Sequence, residues 1–150
     1  MQATDFIEIE KQAKEDLSVP DNIDAAMNWQ MFDLPNIQYE WAKRWAKQKF
    51  VVETLKDEIK EIYGKLISFY KFGTPHPFNP SMKGSQFAWS TTKEIEYAID
   101  CEPHYCAKVK ELRQQQYFLD AIEDYYKNIC RLDYKTHDYL DYYKTKTKSF

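Results

Sequence analysis

Residues 36–71 read NIQYEWAKRWAKQKFVVETLKDEIKEIYGKLISFYK. Taking every third and fourth residue gives Trp41, Trp45, Gln48, Val52, Leu55, Ile59, Ile62, Leu66 and Phe69. Eight of these nine positions are apolar, and the alternating steps of four and three are those of a helix–helix seam. Asn36, directly after Pro35, is a good N-cap for a helix over 37–71. Such a helix is ~52 Å long at 1.5 Å per residue. A rod of that length needs a long partner helix, from this chain or another.

Outward from the rod, Phe72-Gly73-Thr74-Pro75-His76-Pro77-Phe78-Asn79-Pro80 ends it sharply, and Gly84 extends a Pro/aromatic loop over 72–90. Thr91 and Glu94 form a capping box for a short helix ending near Cys101. Pro103 suits the first turn of a last long helix. Its stripe, Leu112, Gln115, Leu119, Ile122, Tyr126 and Ile129, repeats the steps of four and three. Helical pattern persists to Tyr143, with a bend expected near Asp133, so 91–143 is a helical half and 144–150 a basic tail. Ahead of the rod, residues 1–36 form an acidic segment. Phe6, Ile9, Ala13 and Leu17 mark a short helix over 4–17 that Pro20 ends, and a second short helix fits before Pro35.

The expected fold is all-α, a single helical domain over 1–150. Two long amphipathic helices pack antiparallel with short flanking helices, and the chain assembles into an oligomer. Self-association is a natural way to cover both stripes, which assigns Leu112, Leu119, Ile122, Tyr126 and Ile129 to oligomerisation. With three Gly and four Val in 150 residues, a sandwich, barrel or βαβ sheet is disfavoured.

The net charge of −3 excludes binding to nucleic acid by bulk charge. That value averages an acidic head, a basic rod, an acidic middle and a basic tail. Residues 37–71 hold eight basic and five acidic groups, and residues 127–150 hold six and three. No apolar run approaches the ~20 residues of a membrane span, and the first residues lack the pattern of a signal peptide. Three cysteines without framework spacing read as reduced thiols of an intracellular protein.

No phosphate-binding glycine loop, dinucleotide fingerprint, nucleophile elbow or metalloprotease helix is present, so an enzyme is not expected, nor a cofactor. Cys101, His104 and Cys106 have the composition of half a zinc site but lack a second pair, and read as thiols beside a surface imidazole. His76, between two prolines, has nothing nearby in sequence to make it a base. The acidic groups Asp57, Glu58, Glu61 and Asp120, Glu123, Asp124 read as solvated faces balanced by lysines, rather than magnesium ligands.

Basic and aromatic residues interleave more suggestively. Lys43, Arg44, Lys47 and Lys49 accompany Trp41 and Trp45; Lys60, Lys65 and Lys71 accompany Tyr63, Tyr70 and Phe72. Arg131, Tyr134, Lys135, Tyr139, Tyr142, Tyr143, Lys144, Lys146 and Lys148 repeat the combination in the tail. Cations that follow phosphates and rings on which unpaired bases stack are what a single-strand binder needs. Lysines kept for solubility beside aromatics kept for packing give the same composition in a structural or adaptor coiled-coil protein.

The order of features resembles the UvsY family of phage recombination mediators. The resemblance is carried by Leu34-Pro35-Asn36-Ile37-Gln38-Tyr39, the long helix closing on Phe69-Tyr70, and Ile99-Asp100-Cys101-Glu102. It continues through Lys108-Val109-Lys110-Glu111-Leu112 and Phe118-Leu119-Asp120-Ala121-Ile122 into Lys127-Asn128-Ile129, and covers most of 5–143. It implies an all-helical protomer in a ring-like homo-oligomer, with the C-terminal helix contributing to assembly. It also implies binding to single-stranded DNA, to the phage recombinase and to the phage single-strand-binding protein, in the cytoplasm of an infected host cell. The work implied is DNA recombination and repair: recombinase is loaded onto covered strands without nucleotide hydrolysis. The family carries a basic pair just ahead of its aromatic pair. Here Gly64-Lys65-Leu66-Ile67-Ser68 leaves Lys65, with Lys60 and Lys71 one helical turn away. The expected DNA-binding residues are Lys43, Arg44, Lys60, Tyr63, Lys65, Tyr70 and Lys71.

Overall fold

The computed structural model describes residues 1–82 and 91–147. Gly84 and the rest of the loop to Ser90, and Lys148 of the tail, lie outside the described residues. So do the side chains of Tyr139 and Tyr143. The chain is all-helical: α1 (Ala3–Asp16), α2 (Ile23–Asn28), α3 (Leu34–Phe72), α4 (Thr92–Asp100) and α5 (Pro103–Thr147), with a π-helical turn over Trp29–Asp33. It divides into two compact units. Met1–Lys49 with Tyr117–Phe150 makes the first, and Phe50–Gln116 the second.

In the first unit, α1 buries Phe6 and Ala13, two of the four expected stripe positions, and Ile9 and Leu17 pack half-buried. The Ser18 hydroxyl donates to the carbonyls of Lys14 and Glu15 and so closes the helix end. The N-cap of the following helical run is Asn22, whose Oδ1 accepts from the N–H groups of Asp24 and Ala25. The expected cap at Asn36 is therefore corrected. Asn36 lies inside α3 and its Nδ2 donates to the Phe32 carbonyl at 3.0 Å. The reason is the π turn. Pro35 has no N–H and its ring crowds the carbonyl four residues back. The Leu34 N–H reaches five residues back, to Trp29, and the widened turn lets the helix pass the proline.

The core of this unit is Ala13, Leu34, Trp41, Ile122, Ile129 and Leu132, sealed by Trp45, Tyr125 and Tyr126. Trp41 is fully buried, and its indole N–H donates to Asp16 Oδ2 at 2.8 Å, which satisfies the one polar atom of the ring. Gln30 reaches Asp133, and Trp41 meets Tyr125 edge-on at 5.7 Å, so here the α3 and α5 segments run antiparallel. The expected helix end at Tyr143 is not found. With no Pro or Gly after Pro103, α5 continues without interruption to Thr147 and takes residues 144–147 of the supposed tail into the helix.

The second unit is built on Leu66, Phe69, Tyr70, Ile95 and Ile99, with Ile62, Tyr63, Ile67 and Tyr105 packed around them. Its α3 and α5 segments are again antiparallel: Glu58 pairs with Lys108, and Tyr63 lies beside Tyr105. Gly73, at φ 70°, ends α3 in the left-handed conformation, with its N–H on the Phe69 carbonyl at 3.1 Å. The Thr91–Glu94 capping box forms as expected, and Pro103 opens α5. No described helix is long and apolar enough to cross a membrane.

Candidate nucleic-acid interface

The first turns of α3 place Trp41, Trp45 and Gln48 toward the core, which leaves Tyr39, Lys43 and Lys47 on the outward face at steps of four. Three cations in this stretch sit over aromatic rings. The Lys43 ammonium lies 5.1 Å from the Tyr39 ring centre, the Arg44 guanidinium 4.9 Å from Trp41, and the Lys49 ammonium 4.9 Å from Trp45. Lys43 also holds Glu40 at 2.9 Å, a hydrogen bond that raises its pKa further. Arg44 is half-buried, and its Nη1 is sealed from solvent without a hydrogen-bond partner, so the Trp41 face carries much of its stabilisation. Lys47 is exposed and has no partner among the described residues. In the tail, Lys146 lies 5.1 Å from the Tyr142 ring, and Tyr134 is exposed.

The second unit treats its cations differently. Lys56 sits on Glu53, Lys60 on Asp57 at 3.6 Å, and Lys65 on Glu61, whose carboxyl is held below its usual range by that hydrogen bond. Lys108 bridges Glu58 at 2.9 Å and Glu111 at 3.3 Å. Lys71 is exposed. Lys60 and Lys71 lie on one helical face, and Lys65 points elsewhere by more than a quarter turn.

The structure does not present Tyr63 and Tyr70 for base stacking. Tyr70 is 7% exposed and packs edge-on against Phe69, and its hydroxyl donates to Glu102 Oε1 at 2.9 Å. Burial, with that carboxylate second, pushes its pKa up to about 12. Tyr63 is half-buried in the same cluster, tilted against Tyr105 at 6.0 Å. Tyr70 belongs to the core, and Tyr63 packs half-buried against it. Tyr39, 63% exposed beside Lys43, and Tyr142, exposed beside Lys146, are exposed rings with a cation next to them; the sequence reading did not name Tyr39 among its basic-aromatic groups.

The stripe assigned to self-association is likewise occupied. Leu119, Ile122 and Ile129 are buried within the protomer, and Tyr126 stacks on Trp45 at 6.4 Å and 22°. Leu112 is half-buried. In both units the partner that each seam meets comes from this chain.

Sequence reasoning missed one cluster. His76 is 6% exposed, its Nδ1 accepts from the Phe78 N–H at 3.2 Å, and its Nε2 lies 3.1 Å from Glu102 Oε1. With Nδ1 accepting, Nε2 is the ring nitrogen that donates to Glu102. Glu102 therefore receives both Tyr70 and His76 and ties the Thr74–Met82 segment to the helices. Its partners are 26 and 32 residues away in sequence, so no local spacing announces it. Of the supposed metal half-site, His104 stacks on Phe78 at 4.4 Å, and the Cys106 thiol donates to the Asp100 carbonyl. Among the described residues, no three His, Cys, Asp or Glu side chains converge to hold a metal. In comparisons with known proteins, no family model, curated protein or solved structure matches the chain.

Proposed function

We propose that this chain is a non-enzymatic, oligomeric recombination mediator that binds single-stranded DNA and favours loading of a recombinase onto strands covered by a single-strand-binding protein. The observation that supports the DNA-binding part is the exposed Tyr39 ring with the Lys43 ammonium beside it and Lys47 one turn on, in a stretch from Tyr39 to Lys49 with four basic groups and one acid. Cations fixed beside rings offer phosphate neutralisation and base stacking at one place. The roles toward recombinase and binding protein, and the setting in an infected host cell, rest on the resemblance to the UvsY family. Ring-like assembly rests on it too. Because the α5 stripe is buried in the protomer, assembly uses exposed α5 side chains such as Tyr134.

Titrating a fluorescent single-stranded oligonucleotide at two salt concentrations tests the reading. Binding is expected to weaken with salt, by about 0.7 in log affinity per phosphate contact for each decade of salt. Absence of binding at low salt by the assembled protein would overturn it. The adaptor reading, a helical protein without a nucleic-acid role, is favoured by the second unit, where Lys60 and Lys65 sit on carboxylates, Tyr70 is core and Tyr63 packs half-buried against it. Light scattering bears on the oligomer: a monomer at micromolar concentration removes the ring from the proposal.

A further inference from the structure

We propose that Tyr39, Lys43 and Lys47 form one nucleotide-binding step on the outward face of α3: a base of a single strand stacks on the Tyr39 ring while the adjoining phosphates take Lys43 and Lys47. This rests on the single-strand reading above and assigns its chemistry to particular atoms. Tyr39 is 63% exposed, on a helix whose opposite face anchors the core through Trp41, so the ring is presented to solvent from a rigid mount.

The Lys43 ammonium lies over one face of that ring, 5.1 Å from its centre, so a base takes the other face and leaves the ammonium beside it for the phosphate. Its present partner Glu40 is an i,i+3 neighbour with both side chains 55% exposed. Exposed pairs of that kind are readily exchanged for a phosphate. Lys47, one turn further on and without a protein partner among the described residues, takes the next phosphate. Arg44 is set apart from this step. Its guanidinium lies on Trp41 with one nitrogen sealed from solvent, so it positions the helix face and does not follow the strand.

The occupant is a single strand because a ring can stack only on a base that is not already stacked between neighbours in a duplex. Charge complementarity alone would also suit an acidic peptide; base stacking separates the two.

The test compares a fluorescent oligo-dT with an abasic strand of equal length, by anisotropy at low salt, on the full chain. The wild-type protein is expected to bind oligo-dT about 5- to 100-fold more tightly than the abasic strand. Tyr39→Ala should remove that preference while leaving abasic binding unchanged, and Tyr39→Phe should keep it. Lys47→Ala should weaken both strands alike and flatten the salt slope by about 0.7. Circular dichroism is expected to show the same helicity for all variants, since these side chains are exposed.

Failure separates cleanly. If the wild type binds neither strand, the single-strand reading falls and this step falls with it. If it binds oligo-dT but Tyr39→Ala keeps the preference, or the wild type shows none, only the Tyr39 step is overturned. Poly-glutamate binding as tightly as oligo-dT overturns it in favour of an acidic peptide.

Discussion

The two units of this chain differ in where their cations sit. In the first, Lys43, Arg44, Lys49 and Lys146 lie over aromatic rings, although Lys43 also holds Glu40, and Lys127 and Lys144 reach carboxylates; in the second, Lys56, Lys60, Lys65 and Lys108 lie on carboxylates. A carboxylate competes with a passing phosphate for its lysine, whereas a ring leaves the charge in place. Equal stretches of basic sequence thus differ in what they offer an anion. Two tyrosines differ likewise: Tyr39 stands out from its unit, and Tyr70 is drawn into the core of the other.

The harshest way to break this contrast is to remove the mount of the first unit. Trp41→Ala should cost about 3–5 kcal/mol, because it opens a cavity in a fully buried site and strands the Asp16 carboxylate. Urea unfolding measures the loss, and hydrogen exchange should place the loosened amides mainly within Met1–Lys49 and Tyr117–Phe150. Equal loosening of Phe50–Gln116 would erase the distinction between units.

Next in size, Glu102→Ala should destabilise the second unit by about 1–3 kcal/mol, since it leaves Tyr70 and His76 buried without their acceptor. Chemical denaturation checks it. The same network carries a pH signature. Tyr70 titrates at about 12 in the folded chain against an ordinary value of 10.0, so its stabilising contribution is complete below pH 10. That contribution is lost as pH rises toward 12. Tyr70→Phe should flatten this part of the alkaline unfolding profile, and an unchanged profile would assign the alkaline loss to other groups.

A sharper comparison sets Lys43→Ala/Lys47→Ala against Lys60→Ala/Lys65→Ala in the oligonucleotide titration. The first pair should reduce the salt slope by about 1.4, and the second by less, because Lys60 and Lys65 diverge by more than a quarter turn and do not follow one strand as Lys43 and Lys47 do. Equal slopes would return the strand to the second unit. Smallest of all, Lys108→Ala removes exposed bridges to Glu58 and Glu111 and should cost at most about 1 kcal/mol by thermal melting.

Much of the fold was legible because it is written in local periodicity. The seam residues Trp41, Val52, Leu55, Leu66 and Phe69 are buried where the steps of four and three put them. The Thr91–Glu94 box and Pro103 mark real helix starts, since each acts within one turn. The start of α3 was misplaced because Pro35 and Asn36 look like a boundary to local rules, while a π turn carries the helix across them. The candidate site was half legible. Composition locates the basic-aromatic stretch, yet whether a lysine rests on a ring or a carboxylate, and whether a tyrosine is presented or buried, depends on tertiary partners. Glu102 was invisible for the same reason.

The π turn at Trp29–Asp33 also has a meaning for the helix as a phased object. It takes up one residue more than regular winding would, and so resets the angular phase of α2 relative to α3. Ala26 before the turn and Leu34 after it both point into the core under that offset. Deleting a single residue from the turn would restore regular winding and rotate the Ala26 side by about 100°. A change of one residue in length at this spot therefore matters more than a change of residue type, and chains of this design are expected to vary here by substitution and not by insertion or deletion.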